Sequence, residues 1–121
     1  MIGYTTIGSS DLERSAAFYE PILSALGASR AFAHDKAIAW AFGNGQMVMA
    51  HLPYDGKEQT IGNGSMVALS APDAATVDQL YAKAIELGGS DEGAPGARSE
   101  NFYAAYFRDP DGNKLNLHCM S

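Results

Sequence analysis

Ser10-Asp11-Leu12-Glu13-Arg14-Ser15-Ala16-Ala17-Phe18-Tyr19, closed by Leu26-Gly27, decides the fold, because a second copy of its pattern follows. An offset of 62 carries Tyr4 to Met66, Asp11 to Asp73, Phe18-Tyr19 to Leu80-Tyr81 and Gly27 to Gly89. An offset of 67 carries Asn44-Gly45 to Asp111-Gly112, Met49 to Asn116 and His51 to His118. The step from 62 to 67 places five extra residues in loops of the second half. Identity between the halves is thin, and the shared pattern is what reads as a duplicated supersecondary unit.

Each copy reads strand, helix, then three strands. Met1 to Gly8 is a short Thr- and Ile-containing strand. Ser10 and Glu13 have capping-box spacing, so Ser10 is the expected N-cap of a helix reaching Leu26. Leu12, Ala16, Tyr19, Leu23 and Leu26 form its apolar stripe; Gly27 ends it, and Pro21 should bend it. Strands are expected within Ala28–Phe42, broken near His34-Asp35-Lys36, and from Gln46 to Leu52 after the Gly43-Asn44-Gly45 turn. The second copy predicts a strand over Ser65–Ala71 and a helix capped by Asp73 with Val77, Leu80, Tyr81, Ala84 and Leu87 inward. Gly93, Pro95 and Gly96 argue for loop over Ser90–Glu100, with at most a short strand. Strands over Asn101–Phe107 and Lys114–Met120 flank the strong turn Asp109-Pro110-Asp111-Gly112. The fold class is therefore α+β. Two βαβββ modules, about 1–52 and 65–121, are joined by a polar linker, 53–64. Sheet twist should curl their eight strands into one curved mixed-sheet cup with the helices outside.

Composition narrows the function classes. The 121 residues suffice for a single domain with one core, and 46% hydrophobic with 18% charged is ordinary for a globular protein. The formal net charge of −6, with basic residues scattered from Arg14 to Lys114, argues against nucleic acid. No basic head with an apolar run opens the chain and no apolar stretch nears membrane-spanning length, so neither secretion nor membrane insertion is expected. A cytoplasmic location is the default. The single Cys119 leaves no intramolecular disulfide and no zinc ribbon.

Asp11-Leu12-Glu13-Arg14-Ser15 with Phe18-Tyr19 and Leu26-Gly27 resembles the opening of the vicinal oxygen chelate superfamily. Asp109-Pro110-Asp111-Gly112-Asn113 before a final strand resembles its closing signature. That superfamily includes glyoxalase I, bleomycin- and fosfomycin-resistance proteins and extradiol dioxygenases. The resemblance covers essentially the whole chain. It implies metal-ligand positions on the first and last strand of each module, which here match Tyr4, a position near Met49 or His51, Met66 and Asn116. Metal-binding relatives carry His or Glu there. A phenol, a thioether and an amide are poor ligands for a hard or borderline divalent ion, so the metal-dependent chemistries of the family are put in question. The resemblance also implies a homodimer.

Strand alternation adds a reading independent of the family. Tyr4 and Thr6 share a face against Thr5 and Ile7; Lys114, Asn116 and His118 share one against Leu115 and Leu117; Met66, Ala68 and Ser70 oppose Val67, Leu69 and Ala71. His51 and His118 are related by the repeat and are the candidate metal residues, with Glu100 or Asp55 able to complete the site only through loop geometry. Two imidazoles without a carboxylate make an incomplete site, so no cofactor is expected, and a bound divalent metal is not the favoured reading. Trp40, Tyr103 and Tyr106 are candidate flat walls for a planar ligand, and Cys119, out of phase with His118, is expected on the helix side. No nucleophile has a visible base, so no catalytic residue is assigned.

The expected pocket comprises Tyr4, Thr6, Trp40, Met49, His51, Met66, Tyr103, Asn116 and His118, and the expected partner is a small organic molecule. The expected function is metal-independent binding of that molecule. The alternatives are a glyoxalase-like lyase or related enzyme with an atypical site around His51, His118 and Tyr4, and an interaction module with no ligand.

Overall fold

The computed structural model describes residues 1–121. The chain divides into two compact units, 1–61 and 62–121, so the polar stretch 53–61 belongs with the first. The first unit runs β1 (Tyr4–Gly8), α1 (Leu12–Ala25), β2 (Ser29–Ala33), β3 (Ala37–Ala41) and β4 (Met47–His51). The second runs β5 (Val67–Ser70), α2 (Ala74–Glu86), β6 (Ser90–Ser99), β7 (Phe102–Arg108) and β8 (Lys114–Met120). Each unit is a βαβββ module with one four-stranded mixed sheet, ordered β1-β4-β3-β2 and β5-β8-β7-β6.

The internal repeat is written into the strand register. Parallel β1 and β4 set Thr6 opposite Met49 and Gly8 opposite His51. Parallel β5 and β8 set Ala68 opposite Asn116 and Ser70 opposite His118. These pairs superpose under the two sequence offsets, 62 on the first strand and 67 on the last. The helices end alike. Ala28 N–H donates to Leu23 O and Gly27 N–H to Ser24 O, while Gly89 N–H donates to Ala84 O and Gly88 N–H to Ile85 O. Both are Schellman closures, with Gly27 (φ 95°) and Gly88 (φ 104°) in the left-handed region that disfavours a Cβ. The second closure arrives one residue early, at Gly88, because α2 has 13 residues and α1 has 14.

Three sequence expectations are corrected. The N-cap of α1 is Asp11: its carboxylate accepts the Arg14 N–H at 3.2 Å, and Ser10 instead takes the Arg14 guanidinium at 2.9 Å. Aspartate serves as well at that position and repeats the cap of α2, where Asp73 accepts from the Thr76 N–H and hydroxyl. The inward stripe of α1 is Ser15, Phe18, Tyr19, Ile22 and Leu23, rotated from the expected one, with Leu12, Ala16 and Leu26 at its margins. Residues 90–99 form a ten-residue strand where a loop was expected. As an edge strand, β6 pairs on one side only, and two of its three register shifts absorb its glycines and Pro95. The helix continues through Pro21 to Ala25.

In the first unit, Trp40 (1% exposed) lies among the residues buried against α1, 6.2 Å from Tyr19, and its indole N–H donates to Glu20 at 3.1 Å. That bond, and then Arg30, hold the Glu20 carboxyl below the usual carboxylate range. In the second unit, Val77, Leu80 and Ala84 of α2 are buried, as are Leu69, Phe107, Leu115 and Leu117 of the sheet. Each large buried side chain contributes about 1.5–3 kcal/mol.

The turn before β8 rests on Asp109, 4% exposed. Its carboxylate accepts the backbone N–H of Asp111 and of Asn113 and the Asn113 side-chain amide, all at 2.9 Å. Asp109→Ala should lower the unfolding free energy by about 2–4 kcal/mol, since three part-buried donors lose the acceptor they share. Chemical denaturation of the two proteins checks this, and an unchanged midpoint counts against the turn as an anchor of β8.

Candidate functional site

Every strand has a face toward its helix and a distal face, and the register assigns each side chain to one. In the first unit Thr5, Val48 and Trp40 form one row, and Ile7, Ala50 and Ile38 another; both lie on the α1 side, where Trp40, Ile7, Val48, Ala50 and Ile38 are buried. The distal face carries Tyr4 with Met47, Thr6 with Met49, and Gly8 with His51. Tyr4 is 58% exposed. In the second unit the distal face carries Ala68, Asn116 and Tyr106 in one row and Ser70, His118 and Ala104 in the next. Met66 precedes β5 and is 44% exposed.

The structure thus puts Tyr4, Thr6, Met49 and His51 on one distal face, and Asn116 and His118 on the other. Trp40 and Tyr103 do not join them. Trp40 fills the core against α1. Tyr103 pairs with Cys119 on the α2 side of β7, and its hydroxyl donates to Asp78 at 2.6 Å. Tyr103 and Tyr106 are three apart in one strand, so they take opposite faces, a signal already present in the sequence. Offset 67 likewise matches Trp40 to the fully buried Phe107.

His51 lines a cavity of about 400 Å³ in the first unit with Thr6 and Gly8 at its floor and Tyr54, Glu58 and Gln59 of the 53–60 segment at its wall. The sequence reading treated that segment as linker and missed its wall residues, whose irregular conformation has no period to read. Gly8 has a steric reason: a Cβ there would meet the Gln59 side chain at 3.1 Å. The His51 Nδ1 hydrogen-bonds to the Leu52 carbonyl. A carbonyl only accepts, so Nδ1 carries the proton, and in the neutral ring Nε2 is the nitrogen with the lone pair.

In the second unit Asn116 is 2% exposed, and its side-chain oxygen accepts from His118 Nδ1 at 3.0 Å. The His118 ring stacks on Phe102, centroids 5.4 Å apart. The amide therefore orients the imidazole, and the same tautomer logic leaves Nε2 as the acceptor nitrogen of His118. The half-buried Cys119 pairs with Tyr103 on the α2 side and borders a separate cavity of about 400 Å³ with Asp73, Phe102 and Tyr103.

No three His, Cys, Asp or Glu side chains gather as a metal site. The positions that the resemblance matches to metal ligands hold a phenol, a thioether or imidazole, a thioether and an amide already engaged with His118. This donor set does not fit a divalent cation.

The family model described as Glyoxalase/Bleomycin resistance protein/Dioxygenase superfamily matches residues 1–117. The chain belongs to that superfamily. It is 32% identical to a glyoxalase/bleomycin resistance protein from Albidiferax ferrireducens T118, covering 100% of this chain and 99% of that one with a TM-score of 0.92. A hypothetical protein from S. aureus is 26% identical, covering 98% of this chain and 92% of its own, at a TM-score of 0.78. A lactoylglutathione lyase from Agrobacterium tumefaciens shares the fold at 20% identity, coverage of 98% and 92%, and a TM-score of 0.73. Among curated proteins none matches the sequence. No helix is long and apolar enough to cross a membrane.

Two helix-side tyrosines give a pH signature. The Asp78 hydrogen bond pushes the Tyr103 phenol above its usual value of 10.0, and the Asp91 hydrogen bond does the same for Tyr81. A phenol whose folded pKa is raised stabilises the fold fully below its unfolded pKa, and that stability is lost as pH rises through the folded pKa. Stability should therefore fall above about pH 10, and Tyr81→Phe with Tyr103→Phe should flatten the decline. Phenolate absorbance and denaturant midpoints across that range check it; an equally steep decline in the double variant contradicts it.

Proposed function

We propose that this chain binds a small organic molecule through the distal faces of its sheets without a resident metal ion. The observation that carries the reading is the Asn116–His118 pair. At a position where metal-binding relatives present a ligand, this chain buries an amide and uses it to orient an imidazole. Burying an amide is favourable only with its hydrogen bonds made, and here the oxygen is committed to His118. The first unit supports the reading separately. Its cavity of about 400 Å³ falls in the size range of small-molecule sites, and its floor offers a hydroxyl from Thr6 and a lone pair from His51. A homodimer and a cytoplasmic location belong to the same proposal, from the family resemblance and from composition.

A second reading, a lyase-like enzyme around His51, His118 and Tyr4, is favoured by one specific feature. Each imidazole has Nδ1 held by an oxygen acceptor, which is how a general base is oriented. Tyr4 would then supply a proton from the same face as His51.

Metal analysis and ligand screening separate the two. Protein purified from metal-supplemented cells and dialysed should hold far less than one divalent ion per chain, and chelator should leave ligand affinity unchanged. Asn116→Leu should weaken ligand binding at the second unit's distal face by about tenfold, as His118 loses its orienting partner. A stoichiometric ion that survives dialysis overturns the binding proposal. Turnover of a screened substrate that disappears in His118→Ala establishes the enzymatic reading in its place.

A further inference from the structure

The distal face of the second unit carries a pair of cations that no carboxylate neutralises. Arg98 lies over the Tyr106 ring with its guanidinium carbon 5.4 Å from the centroid, and the Lys114 ammonium lies 5.6 Å from the same centroid. Three other basic groups are matched to acids: Arg30 with Glu20, Lys83 with Glu86, and Arg108, which stands opposite Lys114 in the β7–β8 register, with Glu92. Arg98 instead donates to the carbonyls of Gly96 at 2.9 Å and Ala94 at 2.8 Å. In a chain of net charge −6, two cations held at one ring without an anion are an unfinished electrostatic arrangement.

The guanidinium is seated. A Cβ on Gly93 would come within 3.1 Å of Arg98 Nη2 and 3.2 Å of the Tyr106 ring, and a Cβ on Gly96 within 3.1 Å of Nη1. Both glycines clear a bed for the planar group on the strand backbone. The glycines that made β6 look like loop thus have a second use. Cation–π contact and carbonyl acceptors fix the fork with little loss of charge, and a fixed fork recognises an oxyanion better than a free one. Along the same face Tyr106 stands opposite Asn116, and Phe102 stacks on His118. The anchor therefore lies beside an aromatic and amide surface.

We propose that Arg98 and Lys114 form an anion anchor, which takes the carboxylate or phosphate of a small aromatic ligand whose ring lies along Tyr106 and Phe102. This deepens the binding proposal and rests on it. The anion closes the charge arrangement, and the ring meets the apolar part of the face. A cationic ligand finds two like charges at the same place.

The test is an amide and arginine side-chain NMR titration of the full chain with benzoate, phenyl phosphate and benzylamine at low salt. Benzoate or phenyl phosphate should shift the Arg98 Nε–H signal and the Lys114 and Tyr106 amides, and the tighter of the two anions assigns the ligand's acid group. Arg98→Gln and Lys114→Gln should each weaken binding about fivefold or more, and added salt should weaken it in the parent protein. Gly96→Ala keeps both charges and displaces the guanidinium, so it should weaken binding too; retained dispersion of the spectra confirms that the variants fold. Benzylamine shifting the same signals as strongly overturns the anchor, as do affinities untouched by all three substitutions. Anion shifts confined to Thr6 and His51 also overturn it, while small-molecule binding stands. No shift with any probe overturns it as well, and the metal and ligand screen then judges the wider proposal.

Discussion

The parallel pairing of the first and last strand within each unit fixes the consequences of every other choice. Because side chains alternate with a period of two, one register decides which residues meet the helix and which meet the distal face. A slip by one residue in β8 would turn Leu115 and Leu117 away from α2 and bury Lys114 and His118 in their place. Two fully buried leucines against a helix resist that strongly. Polar residues can therefore occupy the distal face without weakening the core. Asn116 and His118 are positioned by the hydrophobic demand of their neighbours in sequence.

The two units use this constraint alike and decorate it differently. Thr6 and Met49 occupy the row that Ala68 and Asn116 occupy in the second unit. The first unit adds the 53–60 segment, which walls a cavity against Gly8 and His51. The second adds the long edge strand β6, which brings Arg98 onto Tyr106.

Much of this was legible in the sequence. The repeat, the glycines closing both helices and the alternation of Lys114–Met120 gave the module plan, because each rests on local rules: helix termini, glycine in the left-handed region and strand parity. The β6 strand was not legible, since edge position and register shifts are tertiary properties that override the usual meaning of Gly and Pro. Aromatic residues misled for a related reason. Trp40 has the size of a ligand wall and the parity of a core residue, and parity was decisive. The anion anchor was hidden as well, because Arg98 and Lys114 lie on strands that are not neighbours in sequence.

The proposal of binding without a resident metal has a physical corollary. A divalent ion would supply several kilocalories of charge stabilisation to a polarised oxygen, and nothing in this donor set replaces that amount. What the distal faces offer is more modest: oriented imidazoles with a lone pair on Nε2, an amide, a threonine hydroxyl and a seated guanidinium. Under the binding proposal, such groups select and orient a ligand through hydrogen bonds and charge. They discriminate by leaving a site group unpaired when the wrong molecule enters. The burial of Asn116 sharpens that discrimination. An amide this dehydrated has no water to fall back on, so its bond to His118 holds the imidazole in one orientation. A binding face prepared in advance is what a fold of this size requires if it lacks a metal to organise the ligand.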